Sequence, residues 1–409
     1  MNAGKRVVKM IMTNQNINSA KQRKFNPSRL SEARTYAKVT GEELANSIGV
    51  KKQAISQFEN RKATPEYETV EKISAALNFP INFFYEQDVP SLQGNTYFRA
   101  PFSSNKRDLN SQKIKTRYVA HIYGTLARYI DFYPYNVPSF EDTTDIPAIA
   151  QKLRNYWGLG QEPIPDMVSL MERNGIVMSE FATDSKQIDA FTQYDEIGFQ
   201  NYYCVVLGTE KPSFVRRQFS CAHELGHILL HEKFEDKSGI NREDFRKQEA
   251  EANRFAAEFL MPNNSFLLDL QVSANRLNRY IELKRKWRVS ISAMVMRAHD
   301  LGAITDNQYQ YLMRQIARNG WRTSEPLDDY LPLRHPKALK QAVNIIILNN
   351  VLTGKELLSE IGRDGISLPK SVVDEVLNLE PDTIMVDESA VDSKIISFAQ
   401  LKNRTGEKR

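Results

Sequence analysis

Cys221-Ala222-His223-Glu224-Leu225-Gly226-His227-Ile228-Leu229-Leu230-His231 is the stretch whose reading decides the fold. It sets the pattern H-E-x-x-H inside an apolar run that reads as a buried helix. Helical positions four apart share a face, so His223 and His227 aim two imidazoles at one metal ion, and Glu224 stands beside it as a proton acceptor. That is the chemistry of a zinc peptidase. Two surface histidines on an ordinary helix give the same five letters, so the surroundings must decide.

A catalytic zinc takes three protein ligands and keeps one position open, which requires a third ligand elsewhere. His231 continues the four-residue series, but eight residues at about 1.5 Å rise put it about 12 Å from His223, too far for both to hold one ion at about 2 Å. The extended pattern H-E-x-x-H-x-x-G-x-x-H also fails, lacking its Gly and final His here. Carboxylates remain. Glu249 and Glu251 open an apolar-periodic helix, 249–260, able to pack antiparallel on the first after the polar loop 232–247. Glu249 is the choice, because Asn253 falls one turn later on the same face and can orient a ligand histidine through its other ring nitrogen. Glu251 points about 160° away and suits a surface ion pair.

The rest of the chain bounds this reading. With 409 residues it holds two to four domains, and its 41% hydrophobic content is ordinary for a globular protein. No run of eighteen apolar residues exists, and 7–12 is too short for a signal-peptide core, so a cytoplasmic protein with no membrane association is expected. Cys204 and Cys221 are the only cysteines, which excludes a disulfide framework or a Cys-x-x-Cys site. The net charge of +5 is concentrated: residues 1–40 carry nine Lys or Arg against Glu32 alone. A solvated tail and a phosphate-contacting arm both fit that excess.

Between 28 and 88 the periodicity predicts helices over 28–38, after the capping box Thr40-Gly41-Glu42-Glu43, over 51–60, and from Thr64-Pro65-Glu66 onward. These residues resemble the repressor-like (XRE, Cro/C1-type) helix-turn-helix family: E-E-L-A-x-x-I-G-V-x-x-x-x-I-S-x-x-E-N, then Pro and a hydrophobic fourth helix. The resemblance covers roughly sixty residues, with Gly41 where the family usually has Gln. It implies that the third helix lies in the major groove of double-stranded DNA. Lys52, Gln53, Ser56 and Gln57 would then read bases, with Lys51, Asn60 and Arg61 nearer the phosphates. A helical protein-interaction module is the alternative.

Residues 89–145 read as a linker and a long connecting helix, 106–132, whose Lys113, Lys115, Arg117 and Arg128 mark a basic face. His121 beside its apolar stripe reads as a packing histidine. Short strands are expected at 176–178, 190–192, 198–199 and 202–207. The motifs R-x-F-S-x-A-H-E-L-G-H-I-L-L-H, from Arg217 to His231, and E-x-x-A-N-R-F-A-A-E-F-L-M-P, from Glu249 to Pro262, resemble the ImmA/IrrE family of bacterial metallo-endopeptidases. Members cleave helix-turn-helix repressors, and many carry their own XRE domain. The resemblance therefore implies a repressor as protein substrate and zinc, or another divalent ion such as manganese, as cofactor.

The expected fold is multidomain and mainly α. Residues 1–27 are a basic arm, 28–88 an all-α helix-turn-helix domain and 146–268 an α+β, thermolysin-like zincin domain with a small sheet. Residues 269–330 are a helical packing or helix-turn-helix-like unit, and 331–409 a helical region with a polar tail. A peptide substrate is expected to add to an edge strand near 202–207, with Tyr194, Tyr202 or Tyr203 stabilising the oxyanion. Homodimerisation stays open. The competing function is a transcription factor or antitoxin-like regulator whose peptidase-like domain only senses or docks.

Overall fold

In the computed structural model, residues 24–88, 96–97, 106–140, 143–183, 189–197, 200–210, 213–231 and 242–385 are described. The expected basic arm lies almost wholly outside them, as do the strand at 198–199, much of the linker and the polar tail. Helices α1 (Pro27–Tyr36), α2 (Gly41–Ile48), α3 (Lys52–Glu59) and α4 (Tyr67–Leu77) follow one another closely, with a 3-10 turn at Ile81–Tyr85. Thr40 and Glu43 form the reciprocal capping box that starts α2, and Gly49 ends it at φ 73°, a left-handed position. The fourth helix starts later than expected. Glu66 is its N-cap without a side-chain bond, and Pro65 precedes it.

The long helix α5 (Lys106–Leu126) runs through the middle of the molecule, and α6 (Ile146–Tyr156) and α7 (Met167–Arg173) lead to a small sheet. Its strands are β1 (Thr96–Tyr97), β2 (Val177–Phe181), β3 (Ala190–Ile197) and β4 (Gln200–Gly208), in the order β1-β3-β4-β2. β3 pairs antiparallel with β4 and with β1, while β2 pairs parallel with β4. Helices α8 (Phe214–Leu230), α9 (Arg242–Leu260), α10 (Asn263–Leu270), α11 (Leu277–Trp287), α12 (Ile291–Asp300) and α13 (Asp306–Arg318) follow. Last come α14 (Ala338–Leu348), α15 (Gly354–Arg363) and α16 (Lys370–Leu377). The molecule is mostly helical, with the helix-turn-helix at its front and the small sheet at its centre.

Two buried cores flank that sheet. Alternate strand residues face opposite sides, so Phe191, Cys204 and Val206 enter one core while Ala190, Val205 and Leu207 enter the other. The first core joins α1–α4, α5 and the C-terminal helices α14–α16. The second joins α6–α13. The C-terminal helices α14–α16 therefore close over the first domain, while α11–α13 pack with the centre of the chain. Arg29 donates to the Gly365 carbonyl at 2.9 Å, Ser367 to the Glu86 carboxylate and Asn78 to Ser371.

The basic face expected on α5 is not a free one. Lys115 is buried and bonds Glu375 at 2.6 Å, Arg117 pairs with Glu32, and Arg128 pairs with Asp364 and Glu360. Sequence shows the cations alone, because their acidic partners come from helices far along the chain. His121 is buried, with Nε2 2.7 Å from the Ile361 carbonyl, and burial pulls its pKa down to about 4.

Candidate metal centre and nucleic-acid face

Helix α8 carries the first part of the site. His223, Glu224 and His227 are fully buried, with the two imidazole rings 4.6 Å apart and nearly perpendicular. Helix α9 crosses close to α8 at Gly226, where an added Cβ would lie 3.0 Å from the Phe255 ring and 3.2 Å from Ala252 Cα. A side chain there would push the helices apart, so the glycine sets the approach that brings Glu249 to the histidines. Glu249, Ala252, Asn253 and Ala256 lie at helical spacing along this contact.

The distances describe a converging donor set. The Nε2 atoms of His223 and His227 are 2.9 Å apart, and the Glu249 carboxylate oxygens lie 3.6 and 3.3 Å from them. Among the described residues, His223, His227 and Glu249 are the cluster with metal-ligand geometry, their ligand atoms all within 4.8 Å of one another. Asn253 Oδ1 lies 2.9 Å from His223 Nδ1. An amide oxygen only accepts, so the His223 proton sits on Nδ1 and its Nε2 presents a lone pair. The pocket collects lone pairs and an anion, and a cation fits it.

Glu224 is held from the sheet. The Thr192 hydroxyl on β3 donates to Glu224 Oε2 at 2.7 Å. Tyr194, two residues on along the strand, packs against Tyr203 at 5.1 Å, and Tyr203 stacks with Tyr135 at 5.5 Å. Tyr202 faces the other way and packs on Tyr123, which removes it from the oxyanion candidates. A second expectation also changes. β4 lies between β3 and β2 and offers no edge to a peptide; the strand beside Glu224 is β3, whose outer side carries β1 at the register of Thr192 and Gln193.

Glu251 is partly exposed and forms the expected surface ion pair, with Lys247 at 4.0 Å, but its other carboxylate oxygen turns to His231. His231 caps α8 with a non-helical backbone, φ −114° and ψ 86°, so helical projection does not describe its side chain. Its Nδ1 lies 2.9 Å from His227 Nδ1 and its Nε2 3.1 Å from Glu251 Oε2. His231 stands behind His227 rather than beside His223. The sequence offered the two residue types, a histidine four residues past the last motif histidine and an acid two residues past Glu249, but not their contact.

Earlier on α8, Arg217 is buried and bonds Glu180 of β2 at 2.6 Å; Glu180 also meets His335 at 2.6 Å. These bonds anchor α8 to the sheet and to the segment leading into α14. Cys221 is buried without a disulfide, and burial raises its thiol pKa far above the ordinary range, leaving it unreactive. The remaining histidine, His299, stacks on Tyr309 and contacts Asp306.

At the front of the molecule, α3 buries Ile55 and Phe58 and turns Lys51, Lys52, Gln53, Ser56, Gln57, Asn60 and Arg61 to solvent. Lys52 pairs with Glu42 at 2.9 Å, and the Asn60 amide bonds the Ser56 carbonyl at 2.8 Å. By contrast α12, the second helix of the unit at 277–300, exposes Met296 and Asp300 and buries its arginine, Arg297, against Glu258. That face has no cation to meet a phosphate.

Residues 171–299 match the peptidase-family model described as the IrrE N-terminal-like domain, and residues 30–84 match the model described as Helix-turn-helix. The centre of the chain is IrrE-like. The IrrE-like match takes in β2 to α12, so α11 and α12 fall within it. A comparison with curated proteins gives no significant match. The IrrE-like region has a metallopeptidase-like fold, and the architecture is that of a DNA-binding domain joined to a peptidase-like one. Among the described residues no helix is long and apolar enough to cross a membrane.

Proposed function

We propose that this chain is a DNA-binding regulator whose IrrE-like domain is a zinc endopeptidase acting on a repressor protein. One observation carries the reading: His223, His227 and Glu249 converge from two helices, with Glu224 on the same helix as both histidines. Two neutral imidazoles and one carboxylate suit zinc, and manganese is the alternative ion. A divalent ion held by His223, His227 and Glu249 would supply Lewis acidity to a water molecule and to the scissile carbonyl. Glu224 takes the proton and passes it to the leaving amine, with the Thr192 hydroxyl fixing one carboxylate oxygen so that the other faces the reaction. Asn253 orients His223. Tyr194 and Tyr203 remain as oxyanion candidates, and a peptide adding to β3 must displace β1.

The substrate class follows from the front of the chain. Lys52, Gln53, Ser56 and Gln57 present donors and acceptors to base edges, and Lys51, Asn60 and Arg61 meet phosphates. A peptidase tethered to an operator meets proteins bound beside it at high effective concentration, which favours another DNA-bound regulator over a nutrient peptide. The test is zinc analysis of the purified full chain with incubation against a repressor encoded beside it. Near-stoichiometric metal and a single cleavage, lost in Glu224→Gln, are expected. Absence of bound metal with both histidines intact overturns the reading.

A second reading, a sensor or docking domain without catalysis, is favoured by the burial of His223, Glu224 and His227. It predicts metal binding and DNA binding with no cleavage of any neighbouring regulator.

A further inference from the structure

We propose that His231 and Glu251 are a positioning pair that fixes the proton of His227 and holds its Nε2 ready for a metal ion. The inference rests on the metal-centre reading above. Neither residue touches the metal position. Both act through His227.

Proton placement decides what the pair does. His227 Nδ1 and His231 Nδ1 are 2.9 Å apart, so one of them carries the proton they share. Were it on His231, the neutral His227 would carry its proton on Nε2, the atom 2.9 Å from His223 Nε2 and 3.3 Å from Glu249. That tautomer blocks a metal ion. The Glu251 carboxylate, 3.1 Å from His231 Nε2, settles the choice, because a lone pair there would face an anion. Neutral His231 therefore carries its single proton on Nε2 and donates it to Glu251. Its Nδ1 becomes an acceptor, His227 donates Nδ1–H to it, and the His227 Nε2 lone pair is left facing the site.

The two ligand histidines thus reach one end by different routes. His223 has a direct amide acceptor in Asn253. His227 has a two-step chain ending in a carboxylate, which makes the more basic ligand, since negative charge at the far end strengthens each donor in turn. His231 is buried against α8, and its ring lies 5.0 Å from that of His227, so the chain is held by packing as well as by hydrogen bonds. Glu251 is on the same helix as Glu249, so the close approach of the two helices at Gly226 positions the ligand and the anchor together.

The experiment measures zinc affinity of the full chain by competition with a chromophoric chelator at fixed pH, with no substrate present. His231→Phe keeps the ring volume and removes the acceptor; His231→Gln restores an acceptor oxygen, as Asn253 provides for His223. Glu251→Ala removes the anchor, and Glu251→Gln keeps an oxygen that accepts from His231. Expected are about 10–100-fold weaker zinc binding for His231→Phe and Glu251→Ala, with substantial recovery in the two Gln variants. Thermal melts of the metal-free proteins separate misfolding from loss of positioning. Unchanged affinity in His231→Phe and Glu251→Ala overturns the proposal, as does equal loss in the Phe and Gln variants at position 231. Failure of the unsubstituted chain to bind zinc overturns the metal-centre reading itself, whereas zinc binding without cleavage of any regulator leaves this pair standing and removes only the peptidase.

Discussion

The α8–α9 pair and the exposed helix α3 arrange polar residues in opposite ways. At the metal centre, buried side chains have partners that hold them in place: Glu224 has Thr192, His223 has Asn253 and His227 has His231. On α3 and at its two ends, Lys51, Lys52, Gln53, Ser56, Gln57, Asn60 and Arg61 face water. The difference teaches that a group meant for a small ion must be fixed before the ion arrives, because a buried polar atom without a partner is costly. A group meant for a duplex gains from remaining hydrated and adaptable until it docks.

The largest expected effect separates chemistry from fixation. Glu224→Gln should retain zinc while cleavage falls by about 10²–10⁴-fold, the usual worth of a general base, as read by metal analysis and a cleavage gel. His223→Ala should lose both. If Glu224→Gln still cleaves at the ordinary rate, the fixed buried geometry has no catalytic meaning.

Burial should also appear in the pH dependence of stability. His121 has a folded pKa near 4 against an ordinary 6.5, so the unfolded chain binds the extra proton first. Stability should fall as pH drops from about 6.5 to about 4, by on the order of 3 kcal/mol for this group. Replacing it in His121→Gln should flatten denaturant midpoints across that window, although the variant starts less stable.

Gly226→Ala tests the helix approach. Its Cβ meets Phe255 and Ala252 backbone, which should cost about 1–3 kcal/mol in stability through overpacking, and zinc affinity should fall with it. The smallest effect on the fold is expected at α3. Replacing Lys52 and Gln53 by Ala should shift stability by no more than about 0.5 kcal/mol, yet weaken operator binding. Arg61→Ala should lower the salt slope of DNA binding by about one. A large melting shift at Lys52 or Gln53 would break the comparison.

Sequence legibility follows the same division. The α8 motif, the α2 capping box and the inward faces of α3 and α4 were readable because each is encoded within a few residues. Glu249 and Asn253 were readable as neighbours on one face of a helix. The His231–Glu251 contact was not, because His231 leaves the helix at its cap and meets a residue 20 positions later on another helix. Nor could the sequence tell that Lys115 is neutralised by Glu375, 260 positions later. The order of the sheet was equally hidden: β4 reads as a candidate edge until β2 pairs with its other side.

The sheet has one further consequence. Phe191 belongs to the core shared with the helix-turn-helix, and Thr192, the next residue, holds Glu224 from the opposite face. One peptide bond thus separates a side chain of the core shared with the helix-turn-helix from one that holds the buried acid of the candidate metal centre.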